Sequence, residues 1–291
     1  MPIKQHQPLE ISYLKQFCDG IRLDRNPQEV RRKIEYLLNF YSVINFSMNP
    51  SPDLLLFRAR LSNEDGFPNI SDIGIPPAHK VTAGRLNEPR KPALYVSKTI
   101  ATIFDEVNVA SGCYVQVAAY KPKGTDGPRV AIIGDIKNVF RWGSSKHLPL
   151  LTEYFKKTIR ELASIRESAL LSYIFTDSFL SDLLTDEAAK ESGYIHTQSL
   201  AELLYQKHPN LDGICYEGVS SDGGWNLAIR PTSAERLLEI DTVWLFKINH
   251  YYGYGLYDHT LIKSAKNISK DGTIIWDNTK PANIWNNTQP D

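Results

Sequence analysis

The stretch Ala83–Val107, AGRLNEPRKPALYVSKTIATIFDEV, packs a turn, a strand and a helix into one short unit. Its segment Ala93-Leu94-Tyr95-Val96-Ser97 has the aromatic and β-branched content of a strand, set off on its N-terminal side by Pro89 and Pro92. Ser97 or Thr99 then offers a helix cap, and Ile100, Ile103, Phe104 and Val107 recur at helical spacing. Arg85 precedes the strand beside Gly84, Tyr95 sits inside it, and Glu106 falls at the edge of the helix's apolar stripe. A cation, an aromatic ring and a carboxylate in one strand-helix unit point to a charged, partly planar ligand.

Upstream, RNPQEVRRKIEYLLNFYSVINF opens with Asn26 as N-cap, Pro27 at the first helical position and Glu29 at the capping-box position. Val30, Ile34, Leu37, Leu38, Tyr41 and Ile44 predict one amphipathic helix. A turn-rich break at 49–53 separates it from LLLFRARLS, a buried strand carrying Arg58 and Arg60 near its end. Residues 61–82, rich in Gly, Pro, Asn and Asp, read as a long irregular loop.

Downstream, CYVQVAAYKP and RVAIIGDI read as strands joined by the turn KGTDG. The chain then turns helical between about 149 and 207, with Phe155, Ile159 and Leu162 on one face and Leu200, Leu203 and Leu204 on another. DGICYEGVSSDGGWNLAIRP returns to strand, glycine-rich turn and strand, and DTVWLFKINHYYGYGLYDHTL adds aromatic strand material. The Asn-rich tail after Ser269 reads as loosely ordered. Strands grouped around a helical insertion predict an α+β fold, organised as a helical extension over 1–50, a main domain over 51–265 and a tail over 266–291.

With 33 basic and 33 acidic residues, no global charge draws the chain to nucleic acid or to anionic lipid. No window approaches the roughly 18 uninterrupted apolar residues of a membrane span, and the N-terminus lacks a basic-then-apolar leader, so the expected location is the cytoplasm. Cys18, Cys113 and Cys215 are widely spaced and odd in number, which predicts reduced thiols. The seven histidines form no HExxH pattern, and no metal is expected. No GxGxxG or P-loop is present, so a nucleotide would be bound by other means.

Taken singly, each candidate residue has two readings. Arg85 beside Gly84 can fork onto two phosphate oxygens or pair with a surface carboxylate. Tyr95 can be a core aromatic or a platform for a planar base or pyridinium. Glu106 can be a solvated helix carboxylate or a reachable charge that stabilises an oxocarbenium-like transition state.

Together, LFRAR, IPPAHKVTAGRLNEPRKPALYVSKTIATIFDEV, YIHTQSLAELL and LDGICYEGVSSDGGWNLAIRP resemble, in order and over about residues 54–232, the RES domain family. Family members known as toxins of toxin–antitoxin pairs destroy NAD by hydrolysis or phosphorolysis, on a fold similar to ADP-ribosyltransferases. The resemblance implies that Arg85 is the GRxN arginine, followed by Asn87, that Tyr95 is the strand tyrosine and that Glu106 is the helix glutamate. Arg58 takes the earlier arginine position, with Arg60 as its neighbour. The family serine is where this chain departs: aligning Tyr216 and Asn226 leaves Gly218 in its place, with Ser220 and Ser221 out of register. Either one of those hydroxyls substitutes or the Gly218 N–H does. His196, Thr197, Gln198 and Glu202 also match a family stretch and read as members of a polar network rather than as substrate contacts.

The resemblance implies NAD as substrate, cleavage of its nicotinamide–ribose bond, and a restraining antitoxin partner. Two other expectations stay open: transfer of ADP-ribose to a macromolecule, and a non-catalytic NAD-binding or interaction module.

Overall fold

The computed structural model describes residues 8–48, 54–146, 148–219 and 224–277. In chain order its elements are α1 (Ile11–Leu23), α2 (Pro27–Leu37), β1 (Ile44–Ser47), β2 (Leu56–Ser62), β3 (Leu94–Ser97), α3 (Ile100–Glu106), β4 (Tyr114–Pro122) and β5 (Arg129–Ile132). They continue through α4 (Asp135–Trp142), α5 (Thr152–Ile165), α6 (Glu167–Thr185), α7 (Ile195–Lys207), β6 (Gly213–Glu217), β7 (Trp225–Ile229), α8 (Pro231–Leu237), β8 (Leu238–Gly253), β9 (Leu256–Ile268) and β10 (Ile274–Asp277). This is a mixed α+β fold. The chain divides into two compact units, the first comprising Met1–Ser47, Thr82–Lys91 and Arg129–Val219, the second Met48–Val81, Pro92–Pro128 and Ser220–Asp291.

The first unit is mostly helical. α2 starts where the sequence places it: the Asn26 side chain accepts from the Gln28 and Glu29 amides at 2.9 and 3.4 Å. Glu29 does not complete a capping box, because its carboxylate accepts from Arg32 instead. The helix ends at Leu37, and Ile44 begins β1, which pairs antiparallel with β5, so the helix expected through Ile44 is too long. β-Branched Val43 and Ile44 gain more from an adjacent strand than from another helical turn. β5 in turn pairs parallel with β6.

The strand expected over RVAIIGDI also stops early, at Ile132, and Gly134 opens α4, a helix without an expectation in the sequence. α6 is apolar nearly all round and buried on most sides, from Ala169 through Phe179 to Leu184, as befits a helix enclosed by α1, α4 and α5. Asp177 is an exception inside it. The Tyr41 hydroxyl (2.7 Å) and the Gly134 amide (3.0 Å) both donate to Asp177 Oδ1, while Oδ2 and the nearby Ser181 Oγ find no hydrogen-bond partner among the described residues. Burial pushes the Asp177 carboxyl up to about 6.

The second unit is an antiparallel sheet in the order β7-β3-β2-β4-β8-β9-β10, with α3 on one face. Phe57 and Ala59 of β2, Val115, Val117 and Ala119 of β4, and Phe246 and Ile248 of β8 pack against Ile103 and Phe104 of α3. The helix α8 follows Pro231, a preformed first turn that the sequence reading passes over. The tail expected to be loose contains β10, whose apolar Ile274 and Ile275 extend the sheet beside β9; residues 278–291 and the break at 49–53 lie outside the described residues. The long loop 61–82 is shorter than expected at its start, where β2 runs to Ser62, and is organised by short 3-10 turns at Ile70–Asp72 and Ala78–Lys80.

Two outcomes follow from the α6 cluster. The folded state keeps its Asp177 proton to higher pH than the unfolded chain, so this stabilising contribution is complete below about pH 4 and is lost as pH rises through about 6. The thermal midpoint should therefore fall between about pH 4 and pH 6, and Asp177→Asn, which keeps the Oδ1 acceptor, should flatten that fall in a pH series of melts. Gly134 has φ +90°, and a Cβ there would overlap Ser181 Oγ, so Gly134→Ala should cost about 2–3 kcal/mol in urea unfolding.

Candidate active-site elements

In the first unit, GRLN forms a closed corner. The Gly84 amide donates to Asn87 O at 2.9 Å and the Asn87 amide returns to Gly84 O at 3.4 Å. The Asn87 side-chain amide donates to Thr82 O (3.0 Å) and Glu88 O (3.1 Å), which ties the corner to its own flanks. Gln198 of α7 clamps it from outside, its Nε2 donating to Gly84 O at 3.0 Å and to Asn87 O at 2.8 Å. Leu86 turns inward and is buried, which leaves Arg85 at the outer corner. The Arg85 guanidinium donates to Asp186 O at 2.9 Å and lies 5.8 Å from the centre of the Tyr194 ring.

The rest of the α7 stretch is bonded within the first unit. His196 Nε2 lies 2.8 Å from Ile21 O, Thr197 donates to Tyr194 O, and Glu202 pairs with Arg31 at 2.6 Å. Gly218 follows the end of β6 and is buried; Ser220 and Ser221 lie outside the described residues.

In the second unit, β2 alternates. Phe57 and Ala59 face α3, so Arg58 and Arg60 leave the strand on the opposite face. Arg58 Nε donates to Ile73 O at 2.7 Å, and its Nη1 approaches Tyr95 O at 3.4 Å. Burial lowers the Arg58 pKa, and the nearby Tyr120 and Tyr95 hydroxyls act against that shift. Arg60 donates to Asp72 O and lies 5.0 Å from the Phe67 ring centre. Among the described residues neither Arg58 nor Arg85 makes an ion pair with a carboxylate; both are held by carbonyl oxygens.

β3 pairs with β2 at Phe57↔Ser97 and with β7 at Tyr95↔Ala228 and Ser97↔Asn226. Ser97 and Asn226 thus share a face, and Arg58 reaches the Tyr95 carbonyl while its guanidinium lies within electrostatic range of the Tyr95 phenol. The Ser97 hydroxyl is hydrogen-bonded to Asn226 Oδ1, both side chains being buried. Helix capping thus falls to Thr99, whose Oγ1 accepts from the Thr102 amide at 3.2 Å. Ile103 and Phe104 are buried, Ile100 and Val107 pack beside them, and Glu106 ends the helix partly buried. The Asn226 role as a partner of Ser97 is invisible in sequence, since 129 positions separate them. The sequence names Gln198 as a polar-network member, but its partners Gly84 and Asn87 emerge only once α7 lies beside the corner.

Among the described residues no group of three or more His, Cys, Asp or Glu side chains is arranged to hold a metal ion, and no helix is long and apolar enough to cross a membrane.

A β-strand arginine, a GRxN corner, a strand tyrosine and a helix-terminal glutamate occur in the order of one family, and the family model for the RES domain matches residues 55–249. The chain belongs to the RES domain family. A search of curated proteins finds no match. Among solved structures, the M. tuberculosis MbcT–MbcA toxin–antitoxin complex is similar at 11% identity and a TM-score of 0.36, over 72% of this chain and 90% of that one.

The Gln198 clamp has a direct check. Gln198→Ala removes two hydrogen bonds from the corner and should cost about 1–2 kcal/mol in urea unfolding, with faster proteolysis within Thr82–Lys91. Gln198→Glu, which loses the amide donor at similar size, should behave like the alanine variant.

Proposed function

We propose that this protein is an NAD-consuming toxin of the RES family that cleaves the bond between nicotinamide and ribose. The observation that carries the reading is Arg58: a partly buried guanidinium that, among the described residues, is held by carbonyl oxygens rather than a carboxylate, beside the strand of Tyr95. A desolvated cation without a carboxylate is costly unless an anion completes it, and a dinucleotide diphosphate supplies that anion. Arg85, held in the same manner, is assigned the same class of contact, with Asn87 keeping its corner rigid. Arg60 is the weaker candidate, since its guanidinium is turned toward Asp72 O and Phe67.

In this reading Tyr95 offers its ring to the nicotinamide and Glu106 faces the adjacent ribose. Nicotinamide in NAD is a pyridinium. When the N-glycosidic bond breaks, its electron pair stays with the ring nitrogen, a neutral base departs, and positive charge moves to the ribose carbon. Glu106 stabilises that charge, and no strong general acid is required. Attack by water gives ADP-ribose, nicotinamide and a proton; attack by phosphate gives ADP-ribose 1″-phosphate and nicotinamide. Asn226 and the Gly218 main chain are proposed to border the substrate, with Ser220 as the candidate hydroxyl. Such an activity requires restraint in the cell that makes it, so an antitoxin protein is the proposed partner and the cytoplasm the proposed location.

A second reading rests on Gly218, which stands where the family has serine: a module that binds NAD and leaves it intact. Transfer of ADP-ribose to a macromolecule is a third outcome of the same assay.

Purified protein incubated with NAD, with and without phosphate, should release nicotinamide. ADP-ribose or its 1″-phosphate identifies the acceptor, labelled macromolecule identifies transfer, and intact NAD in every arm overturns the proposal. Glu106→Gln should lower kcat by about 2–4 kcal/mol of transition-state stabilisation with NAD binding retained. Unchanged turnover in that variant removes Glu106 from its role.

A further inference from the structure

The aromatic run that the sequence presents as plain strand material ends over α3. β8 and β9 meet in a hairpin whose tip, Gly253-Tyr254-Gly255, has positive φ throughout at 87°, 56° and 70°. Just behind the tip, Tyr251 and Tyr257 are paired across the strands and stack with centroids 4.6 Å apart and an interplanar angle of 18°. The Tyr257 ring meets Phe104 of α3 edge-on at 5.4 Å, and His259 meets the same ring at 5.7 Å. The Tyr257 hydroxyl donates to Asp105 Oδ1, the residue before Glu106. Burial and then the Asp105 carboxylate raise the Tyr257 pKa, which keeps the phenol protonated and therefore a donor.

The segment after α3 is fastened to the same hairpin. The Gly112 amide donates to Ile248 O at 2.7 Å, the Ile248 amide to Cys113 O at 2.9 Å, and the Tyr251 amide to Ser111 Oγ at 3.1 Å. α3 has seven residues, too few to persist by its own hydrogen bonds, and its last turn carries Glu106. The orientation of that turn is therefore set by what grips it: Thr99 at one end and the hairpin at the other.

We propose that Tyr257 is a positioning residue that, through Asp105, fixes the last turn of α3 and so aims the Glu106 carboxylate. The inference rests on the assignment of Glu106 as the ribose-facing group. Tyr257 does not touch substrate. Its ring supplies packing against Tyr251 and Phe104, and its hydroxyl supplies direction, two roles that one oxygen atom separates.

Tyr257→Phe keeps the ring and deletes the hydroxyl. In the full-length protein, amide exchange over Ile103–Val107 should speed up about tenfold, with exchange in β4 and β8 unchanged. The kcat for NAD loss should drop about tenfold with KM within about twofold and the thermal midpoint nearly constant. Asp105→Asn retains an acceptor and should rescue both readouts to within about threefold of the wild type. Asp105→Ala should match Tyr257→Phe, and the double variant should be no worse than either single change. Wild-type exchange in α3 of Tyr257→Phe overturns the lock whatever the activity. Faster exchange with unchanged kcat overturns the link from the lock to Glu106. If the wild type leaves NAD intact, the proposed function falls instead, and amide exchange still decides whether Tyr257 holds α3.

Discussion

The period-two alternation of β2 constrains everything around it. A strand offers two faces and nothing between them, and here Phe57 and Ala59 take one while Arg58 and Arg60 take the other. The aliphatic face buries α3 and so fixes the helix that ends in Glu106. The guanidinium face meets the loop carbonyls of Ile73 and Asp72. A one-residue slip in register would drive two arginines into the α3 core, which burial forbids, so the register against β4 is strongly specified.

The same economy governs the arginines. The chain has as many carboxylates as cations, and Arg31, Arg22 and Arg32 duly find Glu202, Asp182 and Glu29. Such exposed pairs contribute little to stability. Arg58 and Arg85 are treated differently: each is oriented by main-chain carbonyls, which hold a guanidinium in place without neutralising it. That distinction between balanced and unbalanced cations is electrostatic and local, and net charge conceals it.

Much of the local structure is legible in the sequence because its causes are local. Asn26-Pro27 announces α2, Thr99 caps α3, and the stripe Ile103-Phe104 names the buried face. What escapes depends on partners far along the chain. α2 looks longer than it is because Ile44 continues the apolar period, yet β5 recruits it into a strand. α4 is hidden behind the apolar run of residues 130–133, and the break at Gly134 becomes meaningful only against Ser181. β10 lies in a polar tail and exists because β9 offers it an edge. At the candidate site the sequence supplies Arg85, Tyr95 and Glu106 as residue types in order, but the reach of Arg58 to the Tyr95 carbonyl, and the bonds by which Gln198, Asn226 and Tyr257 brace their neighbours, are tertiary facts.

The pairing of β3 with β7 has a bearing on biosynthesis. Tyr95 and Ser97 lie in a strand whose neighbour on one side, Trp225–Ile229, leaves the ribosome more than a hundred residues later. Until then that flank of β3 is an unzipped edge, and Ser97 lacks the amide side chain that it binds in the finished fold. A nascent chain thus carries the arginine, tyrosine and glutamate well before they can be locked in place. For a protein whose proposed chemistry endangers its own producer, this pairing delays competence until Trp225–Ile229 has emerged, an interval in which a restraining partner can already be present.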